Sequence, residues 1–276
     1  MIKLKNLSIT LLLTSCFSLT NITLNIAKNI AQEAPETSQE NVVEEPEETP
    51  SLTAIDWYNR GVDEIDAGNY QVAIEAFSES IKLDENDADA YYNRGYSYLI
   101  LEQFEESIND YSQAIELRPD FAYAYGNRCY AYYQLKNNQQ AIEDCSKAIE
   151  LEPKYADFYI YRGNAKDDTK MHQAAILDYN QAIALSANNS KAYYNRALAY
   201  NRLGKSLQAV EDYNKAIQFN SNFADAYHNR GVTRFKLEER EKAIADLRKA
   251  AELFNAQANT NNAEKSLNTI EQLEQQ

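Results

Sequence analysis

The chain has 276 residues, of which only seven are glycine and five are proline, too few for the many tight turns of a large β-sheet protein. Acidic residues outnumber basic ones by 42 to 27, which gives a formal net charge of −15. This charge disfavours binding to a nucleic-acid backbone or to an anionic membrane surface. Two histidines and three cysteines offer little material for a metal or cofactor site. The totals favour an acidic, mostly helical protein without catalytic activity.

The first 31 residues have the pattern of an export signal. Lys3 and Lys5 precede the apolar run 7–13, and no charged residue follows until Lys28. A positively charged region followed by an apolar one is typical of a secretory signal peptide. We therefore expect the folded part to lie outside the cytoplasm, either periplasmic or extracellular or anchored to a membrane through the N-terminus.

Three fates of this segment are compatible with the sequence. Residues 13–16 resemble a bacterial lipobox, in which Cys16 would be lipid-modified. The chain stays fairly apolar beyond Cys16, which suits ordinary cleavage near Ala27 or Ala31. An uncleaved anchor is the third possibility, although asparagine, serine and threonine weaken the segment as a membrane span.

Residues 32–53 predict a disordered acidic linker. Residues 32–52 contain seven glutamates and three prolines but no lysine or arginine, so the segment repels itself and has little to bury. Two interpretations remain open: a tether that holds the folded part away from a membrane, or a solvated linker without a specific partner.

From Ala54 onward, a unit of 34 residues is repeated six times. Counted from Ala54, position 4 is always aromatic, positions 8, 20 and 27 are small except for Cys129, and position 24 is large except for Cys145. Pro119 and Pro153 stand at position 32 of two units. The position-4 residues are Trp57, Tyr91, Tyr125, Tyr159, Tyr193 and Tyr227.

This pattern resembles that of the tetratricopeptide repeat (TPR) family, over residues 54–257. The resemblance implies an all-α fold: a right-handed α-solenoid of six helix-turn-helix hairpins. Small residues let antiparallel helices approach closely while the large ones fill the space between them. Each hairpin must stack on its neighbours to bury its apolar face. The predicted repeats are 54–87, 88–121, 122–155, 156–189, 190–223 and 224–257.

Residues 258–276 predict a C-terminal capping helix. Within it, the segment 263–273 is amphipathic and places Leu267, Ile270 and Leu273 on one face, which we expect to cover the last repeat. Asn261 or Asn262 is the predicted N-cap residue.

The resemblance places the first helix of each hairpin on the concave side of the solenoid. Position 6 of that helix is asparagine in every repeat except the fourth, where it is Tyr161. A side-chain amide can pair with an extended peptide backbone, and this column resembles the asparagine ladder in the TPR superhelix of O-GlcNAc transferase. The alternative is that these amides are merely solvated. The column comprises Asn59, Asn93, Asn127, Asn195 and Asn229.

Six tyrosines are predicted to line the same surface, because tyrosine gives a large contact area at low entropic cost. We expect a protein or peptide partner with a neutral or basic extended segment, since position 2 lacks the cations that hold a C-terminal carboxylate in some TPR domains. The tyrosines are Tyr58, Tyr92, Tyr96, Tyr130, Tyr133 and Tyr194.

Arginine occupies position 7 of all six repeats and aspartate occupies position 23 of five. We interpret them as structural pairs rather than ligand contacts. Pairing within a repeat would leave Arg60 alone, whereas pairing with the preceding repeat would leave Arg94 alone.

The third and fourth repeats are atypical. Cys129 and Cys145 are predicted to be two small core residues, because their positions along the two antiparallel helices differ by about one helical turn. A disulfide between them is chemically allowed after export but geometrically doubtful. The fourth repeat has Tyr161 in place of asparagine and an unusually polar first helix, which suggests either a flexible joint or an acidic contact site.

The leading interpretation is a monomeric, non-enzymatic scaffold that holds a partner segment in its groove, with the membrane involved only through the N-terminus. The alternative is a self-associating spacer or assembly factor of an envelope complex. We predict no enzyme activity, cofactor or metal, because no phosphate-binding loop or catalytic set appears and neither His172 nor His228 has a second ligand nearby.

Overall fold

The computed structural model describes residues 51–275, and within that range it contains thirteen α-helices and no strand. The predicted export signal, Cys16 and most of the predicted linker lie outside the described residues. The helices are α1 (Ala54–Asp66), α2 (Tyr70–Leu83), α3 (Ala88–Ile100), α4 (Phe104–Leu117), α5 (Ala122–Gln134), α6 (Asn138–Leu151), α7 (Ala156–Asp168), α8 (His172–Leu185), α9 (Ser190–Arg202), α10 (Ser206–Phe219), α11 (Ala224–Lys236), α12 (Arg240–Ala256) and α13 (Thr260–Glu274).

Polar side chains begin several of these helices. Thr53 and Asp56 form a capping box at the start of α1, in which each side chain accepts a hydrogen bond from the backbone N–H of the other residue. The Asp87 carboxylate accepts from two backbone N–H groups at the start of α3, and Asn189 caps α9 in the same way through one. These bonds satisfy N–H groups that have no partner inside the helix.

The turn between the two helices of every repeat passes through a left-handed residue at position 15. Glycine adopts this conformation without a steric penalty, but only two of the six repeats have glycine at this position. The φ values are 79° at Gly68, 58° at Glu102, 62° at Lys136, 66° at Lys170, 73° at Gly204 and 62° at Glu238.

Consecutive helices pack pairwise into six hairpins, α1 with α2 through α11 with α12, and each hairpin packs on the next. In addition, first helices contact first helices of neighbouring repeats from α1 through α9, which places this layer on the inner side of the stack. These contacts confirm the predicted all-α solenoid of TPR hairpins.

Small and large residues interlock inside each hairpin as the pattern predicts. Gly61 lies against the ring of Phe77, and Gly95 lies against the ring of Tyr111. Both rings have no solvent-exposed surface. Because a methyl group on Gly61 would overlap the Phe77 ring, the small residue at position 8 is what permits this close approach.

The capping helix α13 is present, but two details of its prediction were wrong. Its N-cap is Asn259, whose side chain accepts from the backbone N–H of Asn262, because the helix begins earlier than its apolar pattern suggests. Leu267 is 46% exposed, whereas the face that packs against the last repeat contains Ile270 and Leu273 together with small residues.

The expectation of two unpaired cysteines was also wrong. Cys129 and Cys145 form a disulfide, with their Cα atoms 5.4 Å apart. Helical side chains lean toward the N-terminus of their own helix, so in an antiparallel pair the side chains of positions 8 and 24 lean toward each other. This tilt removes the one-turn offset that backbone levels alone suggest.

Candidate functional site

On the inner face, asparagine side chains connect repeats 2, 3, 5 and 6 to the repeat that precedes each of them. Nδ2 of Asn93 donates to the Tyr58 hydroxyl at 2.9 Å, and Nδ2 of Asn127 donates to the Tyr92 hydroxyl at 3.1 Å. The predicted column of asparagines and the predicted tyrosines of position 5 therefore form one hydrogen-bonded system. The periodicity placed both sets on this face, but it gave no sign that they bond to each other.

The same bond recurs in the second half of the chain with one change. Nδ2 of Asn229 donates to the Tyr194 hydroxyl at 2.9 Å. In the fourth repeat, position 5 is Ile160, which has no acceptor, and Asn195 donates instead to Oδ1 of Asn164 at 2.8 Å.

The predicted groove residues differ in their exposure to solvent. Asn93 and Asn127 are only 6% and 3% exposed, and the first three tyrosines of the set are buried as well. The remaining residues are partly exposed and can meet a ligand. The buried tyrosines are Tyr58, Tyr92 and Tyr96. The partly exposed residues are Asn59, Asn195, Asn229, Tyr130, Tyr133 and Tyr194.

Burial also fixes the protonation state of the tyrosines. Desolvation raises the pKa of Tyr58 to about 12, with the Asp89 carboxylate adding to the effect, and it raises the pKa values of Tyr92 and Tyr194 further. Each hydroxyl therefore remains neutral at physiological pH. Since it accepts a bond from an asparagine, its own proton remains available for donation.

The arginines of position 7 form structural pairs within their own repeats. In repeat 3, Nε and Nη2 of Arg128 donate to the two carboxylate oxygens of Asp144 at 2.6 and 2.8 Å. Equivalent two-bond pairs join Arg94 to Asp110, Arg162 to Asp178, Arg196 to Asp212 and Arg230 to Asp246.

Each of these arginines makes a third bond to the preceding repeat, which the sequence did not reveal. Nη1 of Arg128 donates to the Ser112 hydroxyl at 2.9 Å, and Nη1 of Arg196 donates to Oδ1 of Asn180 at 2.6 Å. The arginine thus joins the two helices of its own hairpin and also joins that hairpin to the preceding one. Arg60 has Ala76 at position 23 of its own repeat, and its guanidinium lies 5.2 Å from the centre of the Trp57 ring.

Acidic side chains of the polar first helix of the fourth repeat form ion pairs with residues of the same and neighbouring repeats. Asp167 is 5% exposed; its carboxylate lies 2.5 Å from Nδ1 of His172 and pairs with Arg202 of the next repeat. Lys136 of the third repeat reaches Asp168 at 3.5 Å. These contacts link repeats 3, 4 and 5 along the inner face, from the turn after α5 through α7 to α9.

Neither a cluster of metal ligands nor a membrane-spanning helix is found among the described residues. Within residues 51–275, no group of three or more His, Cys, Asp or Glu side chains could hold a metal ion. No helix in the same range is long and apolar enough to cross a membrane.

Family profiles match most of the repeated region. Profiles described as "Tetratricopeptide repeat" match residues 88–121, 122–155, 190–223 and 224–257, and one described as "TPR repeat" matches residues 61–101. No curated protein sequence matches this chain significantly.

Solved structures show the same fold. The crystal structure of MamA protein is 26% identical with a TM-score of 0.56, and the match covers 62% of this chain and 94% of that one. YrrB, described as a TPR protein with an unusual peptide-binding site, is 24% identical with a TM-score of 0.54 over 70% of this chain and 99% of its own. A chain of the APC/C hetero-tetramer Cut9-Hcn1 is 19% identical with a TM-score of 0.68 over 79% of this chain, which spans 42% of that chain.

Proposed function

Because the chain belongs to the tetratricopeptide repeat family, we propose that it is a non-enzymatic scaffold that binds an extended segment of a partner protein in its concave groove. TPR proteins are generally scaffolds for protein–protein interaction, and the similarity to YrrB, a TPR protein with a peptide-binding site, supports this mode of binding. The observation that carries the proposal is the set of partly exposed amides and phenols on the inner face.

The second half of the groove supplies the amide contacts. The bond from Asn229 to Tyr194 uses one N–H of the amide, so a second N–H and the carbonyl oxygen remain for a ligand. Asn195 has the same spare groups beside its bond to Asn164. Such amides can bond to the backbone of an extended segment without reading its side chains. In the first half, Asn93 and Asn127 are buried and serve to join repeats.

The partner segment is neutral or basic. Tyr130 and Tyr133 offer partly exposed rings at the middle of the groove, and the ring centres of Tyr130 and Tyr161 are 5.1 Å apart. Aromatic faces attract lysine and arginine as well as apolar groups. The net charge of −15 further favours a cationic segment over an acidic one.

A peptide array tests this proposal with matched variants. Asn93→Ala and Asn229→Ala each remove one amide-to-tyrosine bond, and the more buried Asn93 carries the larger structural cost, but only Asn229 presents spare amide groups to the groove. We expect short extended peptides of neutral or positive charge to bind the wild type and Asn93→Ala, and to bind Asn229→Ala and Asn195→Ala more weakly. Equal binding by all four proteins, each shown by circular dichroism to be folded, would exclude the amide column.

We also propose an extracytoplasmic location and a monomeric state. The N-terminal signal pattern and the Cys129–Cys145 disulfide support the location, since structural disulfides persist in oxidising compartments. The capping helix supports the monomer, because it covers the end of the last repeat. Fractionation of cells and light scattering over a concentration series test the two statements separately.

A further inference from the structure

The third hairpin is held together differently from the other five. In those, a large side chain at position 24 covers a small residue at position 8, as Tyr179 covers Gly163 and Leu247 covers Gly231. In repeat 3, both positions are cysteine, and a covalent bond replaces the packing of a ring. The third hairpin therefore lacks the ring that closes its neighbours.

Side chains of the third and fourth repeats together bury this bond. Cys129 and Cys145 have no exposed surface, and they form one apolar cluster with Ala141 of their own hairpin and Ala165 of the next, against which Tyr161 also packs. The oxidation state of the two sulfurs consequently affects the third hairpin and its junction with repeat 4.

We propose that Cys129 and Cys145 are a redox modification site that controls whether the solenoid behaves as one cooperative unit. Oxidation removes two electrons and two protons from the two thiols, which a disulfide of a partner or of oxidised glutathione accepts, and it ties α5 to α6. Reduction by a dithiol breaks the S–S bond and returns two S–H groups. The third hairpin then has neither the S–S bond nor a position-24 ring between its helices, so only polar contacts such as the Arg128–Asp144 pair and two small apolar residues remain there, and it becomes the weakest repeat.

The consequence follows from the one-dimensional nature of repeat proteins. Each repeat contacts only its neighbours, so a weak central repeat separates the stack into repeats 1–2 and repeats 4–6. The buried sulfurs meet a reductant only when the cluster formed by repeats 3 and 4 opens. This inference is independent of peptide binding and concerns the scaffold itself.

Hydrogen exchange measured by mass spectrometry tests the proposal on the full chain, with and without dithiothreitol. Removing a tie across a loop of this size should make opening of the linked hairpin roughly 100-fold more frequent. We expect reduction to accelerate exchange in α5, α6 and α7, and to split a single urea transition into two. Peptide mapping of the oxidised protein should recover the segments around Cys129 and Cys145 as one linked species.

A variant provides the control for other effects of the reductant, including any at Cys16. Cys129→Ala/Cys145→Ala should resemble the reduced wild type under both conditions and should not respond to dithiothreitol. Equal exchange of oxidised and reduced wild type in α5–α7 would overturn the proposal. So would recovery of the two segments as unlinked peptides from protein purified without reductant.

Discussion

The ring of Phe158 occupies the space in front of Gly126, the residue at position 5 of the preceding repeat. A methyl group at Gly126 would overlap this ring, which is 1% exposed. Other repeats have an aromatic or aliphatic side chain or histidine at position 5, and most have alanine at the position of Phe158. At the junction of repeats 3 and 4, the ring is therefore supplied by the following repeat. It lies 4.5 Å from the ring of Tyr155 and 6.0 Å from that of Tyr123, measured between centres.

This exchange predicts opposite effects from single and paired substitutions. Gly126→Ala should lower the free energy of unfolding by about 1–3 kcal/mol through overpacking. Phe158→Ala should lower it by about 3–5 kcal/mol through loss of a buried ring. The pair Gly126→Tyr/Phe158→Ala restores a ring from the other side and should be more stable than Phe158→Ala alone. Urea denaturation of the wild type, Gly126→Tyr, Phe158→Ala and the pair forms a double-mutant cycle that measures the coupling, and purely additive effects would contradict the exchange.

The arginine of position 7 should matter most where it pairs with a buried aspartate. Arg128→Ala leaves the buried Asp144 carboxylate without its partner and should cost about 3–5 kcal/mol. Arg60 is exposed, its guanidinium lies over the Trp57 ring, and position 23 of its repeat is Ala76, so Arg60→Ala should cost less than about 1 kcal/mol. Thermal and urea unfolding of both variants gives the comparison, and similar losses in the two would refute a stabilising role of the buried arginine–aspartate pair.

The sequence was sufficient for the architecture because each repeat has its own copy of the same packing pattern, and six copies in register identify the helices and their partners. It was not sufficient for features that depend on side-chain direction. The levels of Cys129 and Cys145 along their helices did not show that the two side chains lean together. The spacing of Asn93 and Tyr58 placed both on the inner face without indicating the bond between them. Leu267 fits the apolar periodicity of α13, yet its side chain remains 46% exposed instead of covering the last repeat.

The left-handed turn residues offer a test of backbone conformation without any change in packing. A Cβ atom at Gly68 would meet nothing within 4 Å, so Gly68→Ala should lose about 1 kcal/mol purely from its φ of 79°. Lys170 already has a φ of 66° at the equivalent position of repeat 4, and it is exposed. Lys170→Gly should therefore gain up to about 0.5 kcal/mol after the entropic cost of glycine. Urea midpoints that moved in the same direction for both variants would contradict this explanation.

The junction between the last hairpin and α13 should weaken at acidic pH. Nδ1 of His228 lies 2.9 Å from the Ser266 hydroxyl of α13. Burial, and to a smaller extent the Lys265 ammonium, lower the pKa of His228 from its usual 6.5, while the Asp225 carboxylate acts in the opposite direction. The folded state thus binds the proton more weakly than the unfolded state does. As the pH falls below about 6.5, unfolding takes up a proton and stability is lost, until the pH reaches the lowered pKa of the folded protein.

Hydrogen exchange in α13 measures this loss directly. We expect faster exchange of α13 as the pH is lowered from neutral to about 5, after correction for the intrinsic pH dependence of exchange. His228→Gln retains a polar group near Ser266 but has no charge to gain, so the corrected exchange of α13 should then be independent of pH in this range. If the variant kept the pH dependence of the wild type, the carboxylates around the last repeat would be its source, and His228 would have no part in it.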